Sequence, residues 1–370
     1  MNGQRAALVV SAIVLPEGEH RELYVVEGRI TYEPVSDAET LEGGWVLPGL
    51  VDAHCHVGLD EHGPVSDDVA EKQALADRDA GALLLRDAGS AADTRWVHDR
   101  EDLPRLIRAG RHLARPRRYL RNYAHEIEPE QLPEYVAREA DRGDGWVKLV
   151  GDWIDRDLED LAPCWPLDAL TEAIAVAHEH GARVTAHVFG EEALPDLLAA
   201  GIDCIEHGTG LSTALVDDMA ARGVALVPTV KQLDNFLQYA DAGESRFPAY
   251  ARHMRALHAR RKETIRAAYD AGVAIYAGTD AGGVLPHGLI GAEVAELADY
   301  GLTAYDALAA GSWRARDWLG MPSALAEGEP ADFVVYDADP LRDLSVLSRP
   351  AHIVLRGRVV GSRSAADPVV

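Results

Sequence analysis

From Val46 to Asp280, short apolar runs alternate with alanine- and leucine-rich stretches of helical spacing, with no long low-complexity linker between them. A strand followed by a helix is the repeating unit of a parallel sheet, because parallel neighbours need a crossover connection. Eight runs qualify as strands: GLVDAHCH, GALLLRDAG, RYLRNYAHE, GWVKLVGD, ARVTAHVFG, GIDCIEHG, GVALVPTV and GVAIYAGTD. Eight such units predict a closed (β/α)8 TIM barrel rather than an open sheet. The intervening DALTEAIAVAHEHG and EEALPDLLAAG both end at glycine, a common helix stop. Residues 231–262 are too long for a simple connection after the seventh strand and predict a partly helical excursion over the barrel mouth, the position of a lid.

The two ends have another rhythm. Residues 1–46 and 325–370 are short alternating strands with glycine turns, including ADFVVYDAD and AHIVLRGRVVG. They predict a small β-sandwich-like domain built from both termini, beside a barrel over 47–324. The run AALVVSAIVL, residues 6–15, is too short to cross a bilayer and is followed by no small-x-small cleavage site, so it reads as a buried strand.

Composition narrows the partners. The chain has 370 residues, 47% hydrophobic and 26% charged, which is ordinary for a soluble globular protein. A net charge of −25 argues against nucleic acid and anionic membrane, whose binders usually carry basic patches. Cys55, Cys164 and Cys204 form no CxxC pair, which favours inert buried thiols, a reducing compartment and the cytoplasm.

Candidate chemistry sits at the strand ends. His54 and His56 are two apart, so both side chains face one side of a strand while Cys55 faces the other. Alone, HxH is weak. Lys148, His187, His207 and Asp280 occupy equivalent ends of later strands, and active sites of such barrels lie at that rim. Histidine is the commonest metal ligand, and zinc accepts both nitrogen and oxygen donors. The set points to a metal site.

The ordered motifs GWVLPGLVDAHCH, VKLVGD, IEHG, GTDAGG and GEPADFVVYDADPL resemble the amidohydrolase superfamily of metal-dependent hydrolases, most closely its imidazolonepropionase-related and prolidase-like branch. The resemblance spans nearly the whole chain. It implies that His54, His56 and Asp280 hold the more buried metal and that His187 and His207 hold the outer one. Lys148, carboxylated to a carbamate, would bridge two zinc ions; a cationic Lys148 paired with Asp280 or a neighbouring acid, beside a single metal, is the alternative. Metal binding can bring the pKa of bound water to about 7, and Asp280 would then accept the attacking water's proton and pass it to the leaving amine.

The expected reaction is hydrolysis of an amide or peptide-like C–N bond in a small substrate: a dipeptide, an N-acyl amino acid or a cyclic amide. A mononuclear deaminase, a lactonase and a noncatalytic barrel scaffold are the competing readings. Around the rim, His125 could contact substrate or orient a ligand, Trp153 could wall an apolar pocket, Lys231 could bind a substrate carboxylate and His287 could line the mouth. Each has a purely structural alternative. Arg86 and Asp87 read as an internal salt bridge supporting the rim, and a homo-oligomer is possible.

Overall fold

The structure, a computed structural model, describes residues 6–362. Residues 1–5 and 363–370, the outer ends of the expected terminal domain, lie outside the described residues.

Parallel pairing runs around a ring. Leu50–Cys55 pairs with Ala82–Asp87, which pairs with Arg105–Arg108. The third position continues at Leu113–Ala114, whose Leu113 lies opposite Leu149 of Trp146–Val150. Arg183–Val188, Cys204–His207 and Ala225–Val227 follow in register. The segment 274–281 then closes the ring. Leu226 N donates to Ala274 O at 2.9 Å, Ala53 N donates to Ala277 O at 2.9 Å, and Cys55 bridges Ala281. This last segment has only isolated bridges, and Gly278 explains the close approach: a Cβ there would lie 2.7 Å from the backbone nitrogen of His54.

All six residues of Leu50–Cys55 and of Ala82–Asp87 are buried, as a sheet covered on both faces requires. The third expected strand is a correction. RYLRNYAHE is not the third strand of the ring; the sequence PRLIRAGRHLA supplies it. Within RYLRNYAHE only His125–Glu126 pairs, with Leu113–Ala114. Arg117 and Asn122 have φ of 59° and 70°, so this stretch turns, and Tyr119 and Tyr123 fold inward as loop residues.

Strands from both ends join in one eight-stranded sheet. Trp45–Pro48 lies antiparallel to Phe333–Tyr336 and parallel to Leu8–Val14, tying the two termini together. The sheet has a separate core that includes Val10, Val14, Val46, Phe333 and Val335. Two separate sheets, which a sandwich implies, are not what the pairing makes. Leu8–Val14 alternates buried and more exposed positions, as a strand with one covered face must.

The excursion after the seventh strand is helical throughout most of its length: Val230–Leu233, Phe236–Gly243 and Pro248–Asp270. It rests on a hairpin that follows the fourth ring strand, Asp152–Asp155 with Asp160–Pro163. Tyr250 N donates to Glu159 O at 3.0 Å, and His253 spans Asp160 at 2.9 Å and Glu191 at 2.7 Å. No described helix is long and apolar enough to cross a membrane.

Candidate metal and active site

His54, His56, His187, His207 and Asp280 lie at the carboxyl-terminal ends of ring strands and Lys148 in the middle of Trp146–Val150, and all but Asp280 are at most 4% exposed. His54 Nε2 and His56 Nε2 are 3.3 Å apart, and Asp280 Oδ1 lies 3.1 and 3.0 Å from them. The donor of His207 lies within 4.8 Å of those of His54 and Asp280. His187 Nδ1 is 3.0 Å from His207 Nε2, and His187 Nε2 is buried without a hydrogen-bond partner.

The outward nitrogens decide what the inward ones can do. His54 Nδ1 donates to Glu206 Oε2 at 2.7 Å, and His56 Nδ1 donates to the carbonyl of Gly89 at 2.7 Å. In the neutral rings, both Nε2 atoms therefore present lone pairs to each other and to a carboxylate oxygen. Three electron-pair donors facing one point repel unless a cation joins them. The donor set thus fits a divalent metal of the zinc type, with imidazole and carboxylate ligands oriented by outer hydrogen bonds.

Burial lowers the pKa of His56 and His187, and it takes His207 down to about 3, which keeps these rings in the metal-binding neutral form. Burial and Lys148 also press His54 downward, but Glu206 and Asp280 outweigh them and raise it. Burial would raise Asp280, but the imidazoles of His54, His56 and His207 beside it outweigh burial and hold it well below the usual carboxylate range. Lys148, also lowered by burial, makes no ion pair among the described residues. The pairing with Asp280 expected of a simple cation is absent.

Three strained backbone positions lie here. His207, Thr229 and Asp280, at the ends of the sixth, seventh and eighth segments, have φ of 66°, 49° and 60°, values that non-glycine residues rarely adopt. Thr229 Oγ1 pairs with His207 Nδ1 at 2.7 Å, and Asp52 accepts from Thr279 Oγ1 at 2.6 Å and from His54 N at 3.1 Å, stitching strand one to the eighth segment.

Of the expected substrate contacts, Trp153 alone lines the cavity, with its ring 5.3 Å from that of His187. His125 turns outward to Glu139, 3.0 Å away, because it follows the loop rather than ending the third strand. Lys231 points to Glu296 at 2.9 Å, and its neighbour Gln232 faces the cavity instead. His287 donates to buried Asp77 at 2.7 Å and lines a different groove. Arg86 is buried in a salt bridge, but its partner is Glu206 across the ring interior, at 2.6 Å, rather than Asp87.

Three residues escaped the sequence reading. Glu206 stood in view in CIEH, a carboxylate inside an apolar strand. Thr229 carried no signal. His112 lies between the two pieces of the true third strand, fully buried, with its ring 5.2 Å from that of His56 and neither nitrogen hydrogen-bonded; misplacing that strand hid it.

Above the donors opens a cavity of about 370 Å³, walled on one side by Tyr119, Tyr123 and Trp153 and on the other by Tyr239, Phe247 and Tyr250.

The profile of the "Amidohydrolase family" matches residues 45–360. A protein of Mycobacterium tuberculosis described as uncharacterized is 56% identical over 356 residues, 96% of each chain. Ochratoxinase of Aspergillus niger is 28% identical over 48% of this chain and 38% of its own; its crystal structure superposes with a TM-score of 0.79 at 19% identity, covering 97% and 96%. A Xaa-Pro dipeptidase with bound methionine superposes with a TM-score of 0.80 at 20% identity, covering 96% and 99%.

Proposed function

The chain belongs to the amidohydrolase family, enzymes acting on C–N bonds, and from that premise we propose that it hydrolyses an amide-type C–N bond of a small substrate at the rim of a (β/α)8 barrel. The observation that carries this reading is the convergence of His54 Nε2, His56 Nε2 and Asp280 Oδ1 within 3.3 Å, with the outer nitrogen of each ring already hydrogen-bonded.

His54, His56 and Asp280 would hold one zinc ion, His187 and His207 a second, and a carboxylated Lys148 would bridge them. Lys148 supports this by its burial near Glu206 and Asp280 with no ion-pair partner among the described residues, since a carbamate turns a repelling cation into an anionic ligand. Bound there, the metal would act as a Lewis acid on the carbonyl and make water acidic enough to react near neutral pH. Asp280 keeps the proton work. Ionised and aimed at the reaction centre, its carboxylate takes the proton of the attacking water and delivers it to the departing nitrogen. The terminal sheet, read as a small domain over 1–46 and 325–370, stands apart from this chemistry. A cytoplasmic setting suits the three free, buried cysteines.

The test is Asp280→Asn in metal-reconstituted protein, assayed against a panel of amides. A loss of at least about 10³-fold in kcat, with the fold intact by circular dichroism, is expected. Unchanged turnover would remove Asp280 from its role. Two metals per chain and a carbamate ¹³C resonance, lost in Lys148→Met, are expected in the native enzyme; one tightly bound metal with full activity would sink the bridged pair.

A further inference from the structure

The cavity over the donor set has an unusual charge balance. Its walls are aromatic on both sides, with Phe189 added near the floor against His187, ring centroids 4.3 Å apart. Its acidic and basic side chains are His56, His187 and Asp280 on the floor and the exposed Glu61 at the rim, beside the neutral phenols of Tyr119, Tyr123, Tyr239 and Tyr250. Among the described residues, no lysine or arginine lines it.

Most nearby cations are committed elsewhere, and Arg121, beside the lining residue Leu120, is exposed and outside the lining. Lys231 is held by Glu296 at 2.9 Å and Asp234 at 3.3 Å. Arg118 is spent on Asp155 at 2.6 Å and on the carbonyl of Ala162 at 2.7 Å. Arg261 binds the carbonyl of His258 at 2.8 Å, and Arg111 binds that of Tyr123 at 3.0 Å. Arg246 is exposed, with its guanidinium over the Phe247 ring at 5.0 Å, and it is not part of the lining.

A carboxylate carried next to the scissile bond would have to shed water among tyrosine and tryptophan rings with no cationic side chain to meet it. Sites that recognise carboxylates normally supply arginine or lysine, because an unpaired desolvated charge is costly. Aromatic walls favour an aryl group, through buried area and edge-to-face contacts. Resting on the hydrolase reading above, we infer that the substrate is an uncharged amide bearing an aromatic ring, and that peptides or N-acyl amino acids with a free carboxylate beside the cleaved bond are poor substrates. One water is consumed: a C–O bond forms at the acyl carbon, the C–N bond breaks, and a proton passes to the released amine.

The experiment compares N-benzoylglycine methylamide with N-benzoylglycine, which share the benzoyl–nitrogen bond and differ in the terminal charge, on metal-loaded enzyme. The methylamide should exceed the carboxylate in kcat/KM by at least about 100-fold, and replacing benzoyl by acetyl should lose at least about 10-fold. Ile154→Arg, on the cavity wall, should narrow the first ratio by at least 10-fold, whereas Arg246→Gln should leave it unchanged. Calorimetric binding of two ketone isosteres, 4-oxo-4-phenylbutanoate and its N-methylamide, gives a readout independent of turnover. Selective binding of the neutral isostere with no hydrolysis of any amide would support the inference and overturn the hydrolase reading. Hydrolysis that favours the carboxylate would do the reverse. Equal binding of the two isosteres, or binding of neither, would overturn the inference.

Discussion

Glu206 shows how much one buried carboxylate can decide. One oxygen accepts from His54 Nδ1 at 2.7 Å; the other accepts from Arg86 at 2.6 Å and from Thr185 Oγ1. Burial would raise its pKa, but Arg86, His54 and Lys148 hold it well below the usual value, so it stays an anion. It therefore fixes the tautomer that aims the His54 lone pair at the metal position, and it neutralises a guanidinium with no exposure to solvent. Glu206→Gln should weaken metal affinity by about 10- to 100-fold. The same change should cost about 3–5 kcal/mol of stability, because Arg86 is left as an uncompensated buried charge. Chelator competition and urea denaturation measure the two effects separately; an unchanged metal affinity would show that Glu206 only supports the core.

At the scale of elements, the helical cover is built as a clasp. Pro248–Asp270 buries Tyr250, Ala251, Met254 and Leu257, and it is pinned to the hairpin and to the loop after the fifth ring strand by His253. The hydrogen bond to Glu191 raises the pKa of His253 to about 9, against the pull of burial and with help from Asp160; Glu191 also holds Arg260. The folded value lies above the unfolded one of about 6.5, so the proton stabilises the folded state. That contribution is complete below about pH 6.5 and is lost as pH rises through about 9, amounting to at most about 3 kcal/mol. Urea midpoints should fall across that window, and His253→Gln should flatten the fall. A His253→Gln slope equal to the native one would place the titration elsewhere. The excursion itself was legible from its length, but this clasp was not: His253 sits inside a helix, and its partners are 93 and 62 positions away in the chain. The misplaced third strand has a similar cause. RYLRNYAHE and PRLIRAGRHLA have comparable apolar content, and the pairing of Arg105–Arg108 with Ala82–Asp87 chooses between them.

For the molecule as a whole, the metal position joins elements far apart in sequence, from the first ring strand to the eighth segment. Six buried or largely buried polar side chains gather there at the cost of their hydration, a cost that a bound metal would offset. Stripping the metal should therefore destabilise the whole ring: a ligand at 1,000 times its Kd contributes about 4 kcal/mol. A chelator-treated sample should unfold at lower temperature and recover on adding zinc. Unchanged melting would mean that the donor set is held by the fold alone. The terminal sheet should not report this change first, because its core, around Val10, Val46, Phe333 and Val335, is a separate cluster.

The sequence by itself determined the alternation of strand and helix, the two-ended origin of the terminal sheet, the convergence of His54, His56, His207 and Asp280 and the family, because these rest on local periodicity and short motifs. Trp153 as a cavity wall was also within reach. Tertiary structure alone decided which run became the third strand, where His125, Lys231 and His287 turned, and that Glu206 rather than Asp87 meets Arg86. The reason is physical: a side chain's partner depends on what lies across the ring, and neighbours in the chain do not carry that information. It also decided the charge of the cavity, since a lysine one position before Gln232 contributes to the pocket only if the helix turns it inward, and here Glu296 turns it away.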